Sequence, residues 1–260
     1  MATYLDSILD WHRTRAAADD RSSVDLRAQC AGAPPVRGFR QALAAHDSLA
    51  VISEIKRRSP SKGDLFAGLD PAQVARSYEQ GGAACLSVLT DEPHFGGRPD
   101  DLAAARAAVE LPVLRKDFTV SVNDVYDARL MGADCVLLIV AGLSDRELEV
   151  LATAAAAVGL DVLVETHDEV EVGRALATTP GDLIGVNQRD LVSFEVDQDR
   201  AVRVASAIPS QSVSVAESGV RGRSDARTLA AAGYDAVLVG EHLVTSGDPA
   251  AAVADLMADG

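Results

Sequence analysis

The chain is short of cysteine, of long apolar runs and of positive charge, and each shortage removes a class of protein. Its three cysteines, Cys30, Cys85 and Cys135, are odd in number and lack any CxxC or metal-type spacing. Neither a disulfide framework nor a thiolate metal site is expected. Cys85 and Cys135 sit in apolar runs and read as small core residues in a reducing compartment. The longest unbroken apolar stretch, around Val136 to Leu143, is too short to cross a bilayer. Met-Ala-Thr-Tyr-Leu-Asp at the N-terminus has no basic segment leading into an apolar one, so no signal peptide is expected and the chain is assigned to the cytoplasm. A formal net charge of -15 and a pI near 4.6 argue against nucleic acid or an anionic membrane as a general partner.

Familiar chemical fingerprints are missing as well. There is no GxGxxG dinucleotide motif, no P-loop and no GxSxG elbow. The five histidines, His12, His46, His94, His167 and His242, show no ligand spacing, so neither a metal nor a cofactor is expected. His167 follows Glu165 closely but reads as a surface histidine at a helix start.

What the 260 residues do contain is a rhythm, on a composition that is 48% hydrophobic and sufficient for a large core. Apolar, β-branched runs begin near positions 51, 85, 112, 135, 160, 182, 212 and 236, with Ala/Leu-rich stretches of helical period between them. Asp70-Pro71 and Asp248-Pro249 pair a capping carboxylate with proline at the first helical position. Ser144 to Glu147 and Thr166 to Glu169 read as capping boxes. Gly82, Gly132, Gly159 and Gly233 sit where left-handed helix ends are expected, and the phrases that follow Gly82, Gly132 and Gly233 behave as a degenerate repeat. This alternation predicts an α/β fold, a closed (β/α)8 TIM barrel in preference to an open doubly wound sheet. Residues 1–47 break the rhythm. They read as a helical extension packed on the barrel, with an amphipathic helix over Tyr4 to Ala18 and turns at Ala33-Pro34-Pro35 and Gly38 before Phe39 to Ala45, so that 1–260 is one domain.

Four apolar runs end in charges that a buried strand should not carry: Glu54 and Lys56, Lys116, Glu165, and Glu217. Desolvating a charge is costly unless it is paired or used, so these endings point to one polar pocket. Glu54 and Lys56 share a strand face and are placed to pair. The basic, turn-rich segment Arg57 to Gly63, which includes Ser59, follows them. Lys116 suits carbonyl protonation or anion binding, against the plainer alternative of an ion pair with Asp117. Glu165 suits general acid-base work, against an internal ion pair with a barrel lysine. Asn187 is placed to orient a hydroxyl or carboxylate without titrating, Arg189 and Glu217-Ser218 complete the set, and Glu217 either orients a substrate hydroxyl or holds a lysine. Gly219 and Gly240-Glu241 end the seventh and eighth strands, where this architecture commonly binds phosphate through backbone N-H groups.

The phrases Ser53-Glu54-Ile55-Lys56-Arg57-Arg58-Ser59-Pro60-Ser61-Lys62-Gly63, Leu89-Thr90-Asp91, Pro112 to Phe118, Gly185-Val186-Asn187-Gln188-Arg189-Asp190-Leu191 and Ala216-Glu217-Ser218-Gly219-Val220 together resemble the indole-3-glycerol-phosphate synthase family. The resemblance covers nearly the whole chain, with departures from the commonest pattern at Thr166, Gln188 and His242. It implies a ribulose-phosphate-binding barrel and a lyase of tryptophan biosynthesis. The implied reaction closes 1-(2-carboxyphenylamino)-1-deoxyribulose 5-phosphate to indole-3-glycerol phosphate with loss of carbon dioxide and water. Under it, Lys116 is the general acid at the ribulose carbonyl, Lys56 binds substrate anions with an acid role in dehydration as a second option, and Glu165 or Glu54 is the base. Asn187, Arg189, Glu217 and Ser218 would orient substrate and lysines. Ser59, Gly219, Gly240 and Glu241 would hold the phosphate, and Phe118 and Leu137 would face the aromatic ring. A sister barrel such as phosphoribosylanthranilate isomerase is the competing enzyme, and a barrel that binds without turnover is the competing class. The resemblance leans to a monomer, with a homodimer as the alternative.

Overall fold

A computed structural model describes residues 4–59, 63–65, 68–190 and 195–258. Pro60, Ser61, Lys62 and Leu191 of the motif phrases therefore lie outside the described residues. Eight parallel strands close into a barrel in chain order: β1 (Ala50–Ile55), β2 (Cys85–Leu89), β3 (Val113–Lys116), β4 (Cys135–Ile139), β5 (Asp161–Thr166), β6 (Leu183–Asn187), β7 (Val213–Glu217) and β8 (Ala236–Val239). The first and last strands pair in register from Ala50 with Ala236 to Ser53 with Val239. The strands begin within a residue of the expected positions, and the closure excludes the open sheet.

Strand side chains alternate, so each strand feeds two cores. Ile52, Leu114, Leu137, Leu163, Leu183, Val215 and Leu238 point into the barrel with Cys85 and Cys135. Val51, Val88, Val113, Val136, Val164, Ile184 and Ala216 point outward beneath the helices. Extending the inward rows by two residues gives Glu54 after Ile52, Lys116 after Leu114, Glu165 after Leu163 and Glu217 after Val215. The charged endings are thus the top layer of the barrel interior. Period two put them there.

The N-terminal residues fold as α1 (Tyr4–Ala17), α2 (Ser23–Cys30) and α3 (Phe39–Ala44). Phe39 and Leu43 of α3 are fully buried and plug the barrel at the N-terminal ends of its strands. At the opposite end α1 lies over the loops after β2, β3 and β4. His12 meets Asp91 at 2.8 Å, its ring centre lies 5.3 Å from that of Phe118, and Arg13 donates to the Gly142 carbonyl at 3.0 Å. Asp91 also accepts from the His94 ring and from the backbone N-H groups of His94 and Phe95. His12, Asp91 and His94 thereby form a His-Asp-His grouping that chain spacing hid. Hydrogen bonds to the one carboxylate account for its geometry, and the buried His12 Nδ1 lacks the acceptor that orients a metal-bound imidazole.

The expected caps at Asp70, Ser144 and Asp248 are present. Gly82, Gly132, Gly159 and Gly233 all have positive φ. The box from Thr166 to Glu169 does not form. Thr166 is still in β5 and donates to the Gly185 carbonyl, while Asp168 caps the helix by accepting from the Glu171 N-H. In the repeat phrases, the Asp134 and Asp235 carboxylates accept the N-H groups of Val113 and Ser214, tying neighbouring strands at the bottom of the barrel.

Candidate active site

The strand ends surround a cavity of about 660 Å³. It is lined by Glu54, Lys56, Ser59, Lys116, Phe118, Leu137, Glu165, Asn187, Arg189, Glu217, Ser218, Gly219, Gly240 and Glu241, so every candidate residue meets in one place. Lys116 is at the centre. Its Nζ donates to Glu165 Oε2 at 2.7 Å and to Glu217 Oε2 at 2.8 Å. Lys56 pairs with Glu54 at 2.5 Å at the end of the same strand.

The ion pair between Lys116 and Asp117 is not formed. One position of strand alternation sends Asp117 to the outer face, where it takes Arg115 at 2.8 Å and the Thr90 hydroxyl. Lys116 instead makes the internal ion pair considered for Glu165, and Glu217 holds the same lysine. The surface position expected for His167 is also wrong. Its side chain is 13% exposed, its Nδ1 is 3.1 Å from Glu171 Oε2, and its Nε2 faces Glu165 Oε1 at 3.8 Å. The turn between β5 and the helix from Glu169 folds the ring back under the strand end instead of outward.

Burial opposes charge throughout this network, and the neighbours decide the outcome. Burial alone would lower the Lys116 pKa, but Glu165, Glu217 and Glu54 outweigh it and hold the ammonium well above its ordinary value. Glu165 would be raised by burial, yet Lys116, His167 and Asn187 keep it below the usual carboxylate range. The Asn187 amide contributes by donating to Oε1 at 3.1 Å. Glu217 has only Lys116 against burial, Glu165 and Glu54, and its pKa is pushed up to about 7. The arrangement therefore holds a protonated Lys116 against an ionised Glu165.

Two glycines make room for the acids. A Cβ at Gly185 would collide with the Glu217 carboxylate, and one at Gly240 would collide with that of Glu54. Ser218, with φ 64°, is the one non-glycine residue of positive φ among the described residues, and Gly219 follows with φ 77°. Gln188 and Gln198 accept no part of this bend but fasten it, donating to the Ser218 and Gly219 carbonyls at 2.8 Å each. Strain of this kind collects where backbone must face a ligand. Residues missed from the sequence include Phe95, Ile139, Gln198, Arg221 and His242, which also line the cavity. Ile139 continues the inward row of Leu137, a signal available in the sequence; Gln198 and Arg221 come from loops, and Phe95 and His242 from the short helices Glu92–Phe95 and Glu241–Val244.

Comparison with known proteins gives the same picture. A family model for indole-3-glycerol phosphate synthase matches residues 5–256. The chain belongs to the indole-3-glycerol phosphate synthase family. The protein of that name from Mycolicibacterium vanbaalenii is 50% identical over all of this chain and 95% of its own length. That from Mycobacterium avium is 49% identical over the same shares. Solved structures share the fold at low identity. A thiamine phosphate pyrophosphorylase from Pyrococcus furiosus aligns with TM-score 0.60 and 16% identity over 84% of this chain and 95% of its own. An N-acetylmannosamine-6-phosphate 2-epimerase from Clostridium perfringens aligns with TM-score 0.59 and 13% identity over 76% and 89%.

Proposed function

We propose that this indole-3-glycerol phosphate synthase family barrel closes 1-(2-carboxyphenylamino)-1-deoxyribulose 5-phosphate to indole-3-glycerol phosphate, with Lys116 as the general acid. The observation that carries the assignment of roles is the position of Lys116 Nζ, shared by two buried carboxylates at the cavity wall. The aromatic carbon bearing the carboxylate attacks the ribulose carbonyl carbon, and Lys116 protonates the carbonyl oxygen as its double bond opens. Carbon dioxide leaves and returns its bonding electrons to the benzene ring. Loss of the new hydroxyl as water, with a proton from Lys56, and removal of a ring proton by Glu165 complete the indole.

Glu165 is preferred to Glu54 as the base because its lowered pKa keeps it ionised and Asn187 fixes its second oxygen. Glu217 holds Lys116, and Arg189 orients the substrate. Phe118 and Leu137 belong to the apolar wall against the aromatic ring, while Ser59, Ser218, Gly219, Gly240 and Glu241 belong to the phosphate end. In a chain of net charge -15, the two lysines and loop N-H groups supply the local field for a phosphate and a carboxylate. Cys85 and Cys135 are fully buried in the inner core, which leaves the isomerase alternative without an accessible cysteine. Among the described residues no helix is long and apolar enough to cross a membrane. We read the chain as one domain, its residues 1–47 an extension, working as a cytoplasmic monomer.

The test is direct. Purified protein given the carboxyphenylamino substrate develops indole fluorescence without added nucleotide or metal; no turnover at saturating substrate overturns the proposal.

A further inference from the structure

The proposed role of Glu165 leaves a charge question at the top of the barrel. Glu54, Glu165 and Glu217 are three buried carboxylates, whereas Lys56 and Lys116 are two ammonium groups. A buried carboxylate without a compensating cation tends to take up a proton, which would disable a base. His167 faces the far side of Glu165 from Lys116, with Nε2 at 3.8 Å from Oε1.

The ring is held in that pose from behind. Glu171 Oε2 accepts the His167 backbone N-H at 2.8 Å and lies 3.1 Å from Nδ1. With the Nδ1 proton donated to Glu171, Nε2 has two states. As a bare lone pair it would point at a carboxylate, buried and with no hydrogen-bond partner. As N-H it points a positive edge at the same carboxylate. The second state is the one the geometry favours, and it requires an imidazolium.

We infer that His167 is a positioning residue of the pocket, its imidazolium aimed by Glu171 so that Glu165 stays ionised as the base. The inference rests on the proposed role of Glu165. The charged groups facing the ring are Glu165 on β5, Glu171 on the following helix and Arg200 on the helix from Arg200 to Val204. Burial and Arg200 oppose ring protonation, and the two carboxylates outweigh them, so the His167 pKa is raised. Arg200 is itself occupied, reaching Asp190 at 3.4 Å and the Asn187 carbonyl at 3.3 Å. His167 does not line the cavity, so its effect on the reaction passes through Glu165.

The experiment compares pH profiles of kcat for the wild-type protein, His167→Gln and Glu171→Gln, with the carboxyphenylamino substrate. Removing the cation raises the Glu165 pKa, so the acid limb of kcat moves to higher pH by about one unit in His167→Gln. In Glu171→Gln it moves the same way by less, because the ring is aimed less well and protonated less readily. His167→Lys, which returns a cation, restores part of the shift, and KM changes little in all three. An unchanged acid limb in both glutamine variants, with wild-type turnover intact, overturns the role of His167 alone. A wild-type protein without turnover overturns the enzyme assignment instead. A fall in kcat by one factor at every pH assigns His167 a purely structural part and also overturns the inference.

Discussion

Asp134 and Glu217 are both buried carboxylates at barrel strand ends, yet they are provided for in opposite ways. Asp134, at the bottom, pairs with Arg106 and accepts the backbone N-H groups of Arg37 and Val113, both at 2.8 Å. Each of its oxygens is committed. Glu217, at the top, places Oε2 on a lysine it shares with Glu165 and leaves Oε1 buried without a partner. A saturated carboxylate has nothing left to offer a ligand; an unsaturated one retains unsatisfied capacity that a substrate hydroxyl can meet. Asp134 is fully committed to rigidity at the bottom, whereas Glu217 keeps capacity open at the top, in line with the division between stabilising and active faces in this architecture.

The sharpest way to break that contrast is to remove the centre of the top network. Lys116→Met lowers kcat by about 10³-fold, the scale of a lost general acid. Substrate or product binding persists, measured by quenching of protein or indole fluorescence. If turnover stays within tenfold of wild type, Lys116 is a structural cation and the two ends of the barrel are alike. At the bottom, Asp134→Ala leaves the Arg106 guanidinium buried without its partner and strips acceptors from two backbone N-H groups. The expected loss is about 3–5 kcal/mol of unfolding free energy, read from the denaturant midpoint, with kcat per folded molecule unchanged. A normal midpoint would mean that the saturated network contributes no stability, and a fall in kcat would erase the division between the faces.

The strand rhythm was legible because it depends on local burial, and burial on a barrel strand has a fixed period. The same period also marks Lys116 as inward and Asp117 as outward, so strand alternation alone argues against their ion pair. Helix α2 escaped because only Leu26 and Cys30 of its eight residues are buried, too little stripe to register as periodic. The Ser22 cap, which accepts the Asp25 N-H, was its one local signal. His167 was misjudged because its burial depends on how a two-residue turn folds back, not on any pattern. Gly185 reads as an ordinary strand glycine and Gly240 as a phosphate-loop glycine. Their function as space for Glu217 and Glu54 exists only once neighbouring strands are in register. The meeting of His12 with Asp91 across 79 positions likewise needs the finished barrel.

That meeting gives a third, smaller test, since Asp91 belongs to the saturated class although it stands at the top of the barrel. Burial would raise its pKa, but His12, His94 and the His94 backbone N-H outweigh burial and lower it to about 2. An unfolded aspartate titrates near 3.9, so the folded state binds this proton less tightly than the unfolded one. Its contribution is therefore complete above about pH 4 and fades as pH falls through about 2. Asp91→Asn, which keeps the shape and removes the charge, costs about 2.6 kcal/mol at pH 7 by this difference. The gap from wild type narrows on acidification below pH 4, measured by urea unfolding at stepped pH. A gap that is the same at pH 7 and pH 3 would assign the tie to shape and not to charge. Absence of any gap at pH 7 would mean that α1 is held by Arg13 and apolar packing, and that the saturated Asp91 contributes no stability.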